Sequence, residues 1–320
     1  MAHGLHKHDD MVWLGETPWH TLGEQIFAPM TINEAKEHRL MAWKVEKAPV
    51  YLGNGDLVPS CHAIVRGDTM DVLGTVGDRY QIVQNDQVLD ILAPVVDGGE
   101  GVIHTMGNLW GGKSVWALVK LPESVDVTGH GDVSDSYLLL TTTHDGSGKV
   151  RARFTKTRVV CQNTLTAALG GKVKHEVALR HTTNVHDRLA QAAQVMGMAH
   201  RYHAQLDEAM KSLANKPMTA TETYGYINTV LEDVFKSSQE GKTKTRAKNI
   251  LDKVYALVEE GKGADLPGVR GTAWGALNVI TEYVDHHKGY HNPDTAFFNI
   301  ALGGEGSKVK ERALEVALAY

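Results

Sequence analysis

The spacing of apolar and polar positions changes period along the chain and divides it into segments. Thr31 to His38, "TINEAKEH", opens with Thr31 and Glu34 at capping-box spacing, which predicts a short helix. Alternation with period two follows. "WKVEKAPVYL", "SCHAIVR" and "VLGTVGDRYQIV" read as three strands, separated by the turn sequences "GNGDL" and "GDTMD". Asn85 then stands where a cap would start the helix "NDQVLDILAPVV", which "DGG" stops. Residues 31–96 therefore read as helix, three-stranded meander, helix.

A second β-rich block begins at "GVIHTM" and "KSVWALVKLP", joined across a glycine-rich turn. "DSYLLLTTT" and "KVRARFTKTRVV" flank "HDGSG", a hairpin signal. "CQNTLTAALGG" reads as a short helix, capped by Asn163 and closed by Gly170 and Gly171. From residue 184 the period becomes helical. One helix of about 30 residues, about 45 Å long, is expected over 184–214. Leu189, Met196, His203 and Met210 recur every seven residues, as do Ala192, Ala199, Leu206 and Leu213, a heptad seam with one polar member. Such a seam packs on another helix of the chain or on a second copy, and a homo-oligomer is the expectation carried forward. Further helices are expected near 221–236, 245–259 and 271–287, with a last one in "KVKERALEVALAY". The fold class is α+β: a β-rich region over 1–180 with a basic hairpin, then a helical region over 181–320.

Charge adds what periodicity does not show. The 320-residue chain carries a net −5. Yet Lys149, Arg151, Arg153, Lys156, Arg158, Lys172, Lys174 and Arg180 lie within 149–182 against Glu176 alone, a local +7 that leaves −12 for the remainder. Segregation of this kind concerns partners, not fold. On a strand, Lys149, Arg151 and Arg153 share one face while Val150, Ala152 and Phe154 point to the core. Lys156 and Arg158 fall in the opposite phase, so either a bulge near Thr155 restores one basic face or the cations divide between two. Repelling cations in a row call for an anion. A phosphate backbone fits a linear strip, and the N-terminus of a helix beginning at Asn163 would add to it. The alternative is a ladder of internal ion pairs with acids from elsewhere in the chain. Trp110, Trp116, Tyr80 and Tyr137 are candidate stacking platforms for unpaired bases or, equally, core residues.

Other chemistry is less well supported. "GNLWGGKS" from Gly107 to Ser114 matches a phosphate-loop pattern, but that loop works only before a helix, and "VWALVKLP" is strand sequence. A hairpin turn is the better reading of Lys113 and its glycines. His287 and His291 have helical metal-ligand spacing, interrupted by Gly289. Cys61 and Cys161 lack CxxC spacing and lie in apolar sequence that suits reduced, buried thiols in a cytosol. There is no G-x-S-x-G nucleophile motif and no evident carboxylate pair. No apolar run approaches the ~20 residues of a membrane span, and the start shows no signal core, so a cytoplasmic protein is expected.

"TPWHTLG", "GDRYQIVQN", "GGKSVWALVKLP", "RVVCQNTL" and "GTAWGALNVITEYVDH" together resemble the phage/plasmid-like protein family, a domain of unknown function found in phages, prophages and plasmids. The resemblance covers nearly the whole chain and implies a mobile-element setting, not a reaction. The order of helix, meander, helix and basic hairpin is also similar to phage single-strand annealing proteins of the Red-beta and Erf type, at the level of fold alone. The reading reached is a non-catalytic, cofactor-free nucleic-acid-binding protein, in its most specific form a single-stranded DNA binding or annealing factor of recombination. Its site residues would be Lys149, Arg151, Arg153, Lys156, Arg158, Asn163, Lys172 and Lys174. A protein-interaction or counter-defence factor is the second reading, and an enzyme acting on nucleotides or nucleic acid, using Lys113 or the histidines, the third. DNA and RNA are not distinguished.

Overall fold

Thr31 begins the first helix as its sequence expects: its Oγ1 accepts from Glu34 N, while Thr31 N donates to the Glu34 carboxylate. The computed structural model containing it describes residues 11–15, 23–158, 164–166, 176–196, 199–236, 242–289 and 304–320. Helix α1 (Ile32–Glu37) is followed by an antiparallel meander of β3 (Val45–Tyr51), β4 (Leu57–Arg66) and β5 (Val72–Gly77). The third strand is shorter than its sequence suggests. It ends at Gly77, and residues 78–84 run as a turn and coil into α2 (Asn85–Leu89) and α3 (Ala93–Val96).

The larger sheet has the order β10–β9–β8–β7–β6–β1–β2, with β11 also on β9. Its strands are β1 (Met11–Leu14), β2 (Glu24–Ile26), β6 (Val102–Leu109), β7 (Ser114–Asp126), β8 (Val133–Thr143), β9 (Val150–Arg158), β10 (Thr164–Thr166) and β11 (Glu176–Leu179). All its described pairings are antiparallel except β1 with β2. The mixed α+β class holds, with both sheets before residue 180 and most of the helices after it.

The glycine-rich stretch at 110–112 is the β6–β7 turn, not the start of a helix. Trp110, Gly111 and Gly112 all have positive φ, at 52°, 69° and 106°. A Cβ on Gly112 would lie 2.9 Å from the Trp43 ring. Glycine is thus required there by backbone and by packing.

The expected helix after Cys161 is corrected. Thr164–Thr166 is strand β10, paired with Thr155–Thr157 of β9. The β-branched threonines suit a strand, and the open edge of β9 offers backbone partners that outweigh the local helix signals. The helix expected over 184–214 is described as α4 (Val185–Met196) and α5 (Ala199–Ala214). Leu189 and Ala192 of α4, and Leu206, Met210 and Leu213 of α5, are buried by this chain itself, as is His203. Those positions are covered within the chain, while the side chains of Met196 and Ala199 lie outside the described residues.

The chain forms two compact units: residues 1–122, 137–154 and 176–200, and residues 123–136, 155–175 and 201–320. In the second, α6 (Ala220–Lys236), α7 (Lys242–Glu260), α8 (Ala273–Glu282) and α9 (Glu305–Ala319) pack together. Tyr226 donates its hydroxyl to Ala313 O at 2.9 Å, and Trp274 donates Nε1 to the buried Asp132 carboxylate at 2.7 Å. Helix α8 continues into one π-helical turn, Tyr283–His287. Among the described residues, no helix is long and apolar enough to cross a membrane.

Candidate nucleic-acid interface

Strand β9 places Val150, Ala152 and Phe154 in the core, as their alternation requires. Its cations do not form one solvent-facing row. Arg151 Nη1 and Arg153 Nη2 both donate to Glu176 of β11, one to each carboxylate oxygen. The register explains why: Glu176 pairs directly with Arg153, and Ala178 with Arg151. The Arg153 side chain is only 6 % exposed, the Arg151 side chain 33 %. In the second unit, Lys156 is 1 % exposed, donates to Ser136 Oγ at 2.6 Å, and lies 2.6 Å from Asp207. By strict alternation Lys156 shares the face of Val150, Ala152 and Phe154, and it turns inward to an ion pair. Arg153 and Lys156 are interior, internally compensated cations, contrary to the expectation that they face an external backbone.

Lys149 is half-buried and Arg180 exposed. They flank the final β9–β11 pair, Val150 with Leu179. Among the described residues, neither has a carboxylate within ion-pairing distance. The ladder therefore carries Lys149, Arg151, Arg153 and Arg180 against the single carboxylate of Glu176. The side chain of Arg158, and all of Asn163, Lys172, Lys174, Cys161 and His291, lie outside the described residues.

The aromatic residues divide. Trp116 and Tyr137 are core residues, which removes them as base-stacking platforms. Tyr80 is covered on one face by His181, parallel to it at 4.9 Å. Cys61, expected to be buried, is half-exposed on β4. His287 lies 3.6 Å from Glu282.

Sequence reasoning missed a polar cluster in the first unit. His144 is fully buried, and one imidazole nitrogen, Nε2, is 2.8 Å from Asn85 Oδ1. Asn85 is no helix cap: its amide donates to Met41 O at 3.2 Å from within the core. His181 Nδ1 is 3.2 Å from Gln81 O, and its Nε2 is 3.4 Å from Thr142 Oγ1. Burial holds the His144 imidazole down to about 3, with His181 adding repulsion, and burial also lowers His181. Both rings are accordingly neutral near pH 7. Their only signal in the sequence is polar residues inside apolar strands. Ser136 with Lys156 has the spacing of a nucleophile and its base, but both are buried and Lys156 is paired with Asp207, so the geometry presents no nucleophile to a substrate.

Residues 72–302 match the family described as Domain of unknown function (DUF932), a span of well over half the chain. The chain belongs to the DUF932 family. Neither the curated proteins nor the solved structures compared with it give a match. Several segments of this DUF932 protein that stood out in the sequence meet in the first unit. "GDRYQIVQN" supplies Tyr80, Gln81 and Asn85, "GGKS" supplies the turn whose Lys113 O accepts from His144 N at 2.8 Å, and the β8–β9 turn supplies His144 and Asp145.

Proposed function

We propose that this protein binds nucleic acid through the phosphate backbone, without catalysis, in a phage, prophage or plasmid setting, and that single-stranded DNA is its ligand. The observation that supports this is the charge excess of the β9–β11 ladder, where four cations meet one carboxylate. Lys149, Arg151 and Arg180 are the contacts proposed. Arg153 supports Arg151 through their common carboxylate, and Lys156 is structural. Sheet strands carrying backbone-directed cations bind with little base preference. The acidic remainder of the chain disfavours phosphate elsewhere on the surface.

The test is a salt-titrated binding assay with single- and double-stranded DNA and RNA of the same length. Lys149 and Arg180, with Arg151 held in part by Glu176, give log affinity against log salt a slope between about −1.4 and −2.1 on a single strand, at ~0.7 per contact. Changing Lys149 and Arg180 together to Ala should reduce the slope by about 1.4 while the melting temperature stays the same. Absence of binding to all four ligands, or an unchanged slope in the double variant, defeats the proposal.

A second reading rests on another observation. Tyr51, Leu52 and Leu57 are each more than half exposed at the tip of the β3–β4 hairpin. Apolar side chains grouped in this way suit contact with another protein.

A further inference from the structure

In the first unit, β7, β8, β9 and β11 are successive neighbours of the larger sheet. The start of β7, the end of β8, the start of β9 and the end of β11 therefore lie side by side at one end of it. Lys113 stands just before β7, Lys149 just before β9 and Arg180 just after β11. Ser114 Oγ donates to Thr142 O at 3.3 Å and His144 N to Lys113 O at 2.8 Å, which fixes Lys113 beside the β8–β9 turn. Val150 pairs with Leu179, which sets Lys149 beside Arg180. Neighbouring strands are ~4.8 Å apart, so the three steps from β11 to β7 spread these cations over about 14 Å across the strand ends.

Charge distinguishes this line from the one along β9. Lys113 is half-buried, and among the described residues no carboxylate stands within ion-pairing distance of it, as for Lys149 and Arg180. The β8–β9 turn between Lys113 and Lys149 holds one acid, Asp145, whose Oδ1 turns back to accept from Ser147 N at 2.9 Å and from Ser147 Oγ at 2.6 Å. Along β9, by contrast, Arg151 and Arg153 share Glu176. A phosphate backbone following β9 meets cations that already have a partner, whereas one crossing the strand ends meets three that have none.

We infer that the nucleic-acid strand crosses the strand ends of the first unit, from Arg180 and Lys149 over the β8–β9 turn to Lys113, instead of running along β9. The inference rests on the nucleic-acid reading above and adds Lys113 to it as a phosphate contact. The lysine of "GNLWGGKS" then acts as a point charge on a flexible stem, reaching a backbone phosphate from a hairpin turn. No nucleotide-binding loop is involved, because β7 and not a helix follows the turn.

The experiment is a salt titration of the full chain on oligothymidylate, with melting temperature read for every variant. Lys113→Ala should flatten the slope of log affinity against log salt by about 0.7 at an unchanged melting temperature, and Lys113→Arg should restore it. Ser147→Glu, at an exposed position of the turn between Lys113 and Lys149, places a like charge under a strand that takes this path and should weaken binding several-fold. If the Lys149 and Arg180 double variant flattens the slope while Lys113→Ala and Ser147→Glu bind as the native chain does, the strand does not cross the turn and this inference alone fails. Flattening by Lys113→Ala that Lys113→Arg does not restore gives the lysine a part in the turn's structure and also overturns it. If the native chain does not bind oligothymidylate at all, it falls together with the nucleic-acid reading.

Discussion

His144 shows what one buried titratable group does to the molecule. Its folded-state value is held down to about 3, against 6.5 for the free side chain, because burial penalises the imidazolium and no acid compensates. In the unfolded chain the ring takes a proton as pH falls through 6.5, whereas in the folded chain it does not until about 3. The unfolded state then binds more protons, so stability is fully present above 6.5 and is lost progressively below it. At pH 5 the loss from this ring amounts to about 2 kcal/mol. His181, lowered in the same direction by burial, adds to it. Urea denaturation from pH 7.5 to 5 should show a falling midpoint, and His144→Gln should flatten that dependence even though it lowers stability at pH 7.5. A native chain whose midpoint is constant over this range would show that His144 is not held neutral. A catalytic histidine needs a reachable proton and a value near the working pH. His144 has neither, which leaves it a structural role: holding Asn85 and the core end of α2.

At the scale of elements, backbone approach decides which pairs pack. Gly74 of β5 touches the turn between β8 and β9 so closely that a Cβ there would lie 2.6 Å from Asp145 Cα and 2.6 Å from its carbonyl oxygen. Neither is a side chain that can rotate away. Gly74→Ala should therefore separate the meander from that turn and cost about 1–3 kcal/mol, read as a lower urea midpoint with an unchanged denaturant slope. Gly77→Ala, with only Ser60 O at 3.8 Å, is the matched control and should cost far less of this kind. Local signals in the sequence were legible where the physics is local. Thr31 with Glu34 marked its helix start, the glycines at 111 and 112 marked a turn, and Val150, Ala152 and Phe154 marked the core face of β9. Where partners are distant, the sequence was silent or misleading. Asn85 looked like a cap because its real partners, Met41 O and His144, are remote in the chain. Thr164–Thr166 looked helical because an asparagine precedes it and glycines follow, while the free edge of β9 could not be seen. Arg153 and Lys156 looked exposed because Glu176 and Asp207, which hold them, are far along the chain.

For the molecule as a whole, the segregated charge has two parts, an internal one that stabilises and an external one available to a ligand, and Glu176 separates them. One carboxylate serves two guanidiniums, one of which is almost fully buried. Removing it by Glu176→Gln leaves Arg153 as a buried cation with no charge partner, and breaking such a pair from one side costs about 3 kcal/mol or more. The substitution also releases Arg151 toward solvent, so the ladder offers its full charge to a phosphate backbone. The expected result is a lower unfolding midpoint together with a salt slope steeper by up to about 0.7 on single-stranded ligand. Arg153→Met should behave in the opposite way. It replaces a buried cation with an apolar side chain of similar length, removes the need for half of the Glu176 charge, and is expected to change stability little. Glu176 then pairs with Arg151 alone, so the salt slope should flatten toward that of Lys149 and Arg180. A Glu176→Gln protein as stable as the native chain would mean that the carboxylate does not hold the arginines. Opposite movement of the slope in the two variants would place Arg151 at the boundary between the structural and the ligand-facing charge, because it is the one cation whose partner both substitutions change.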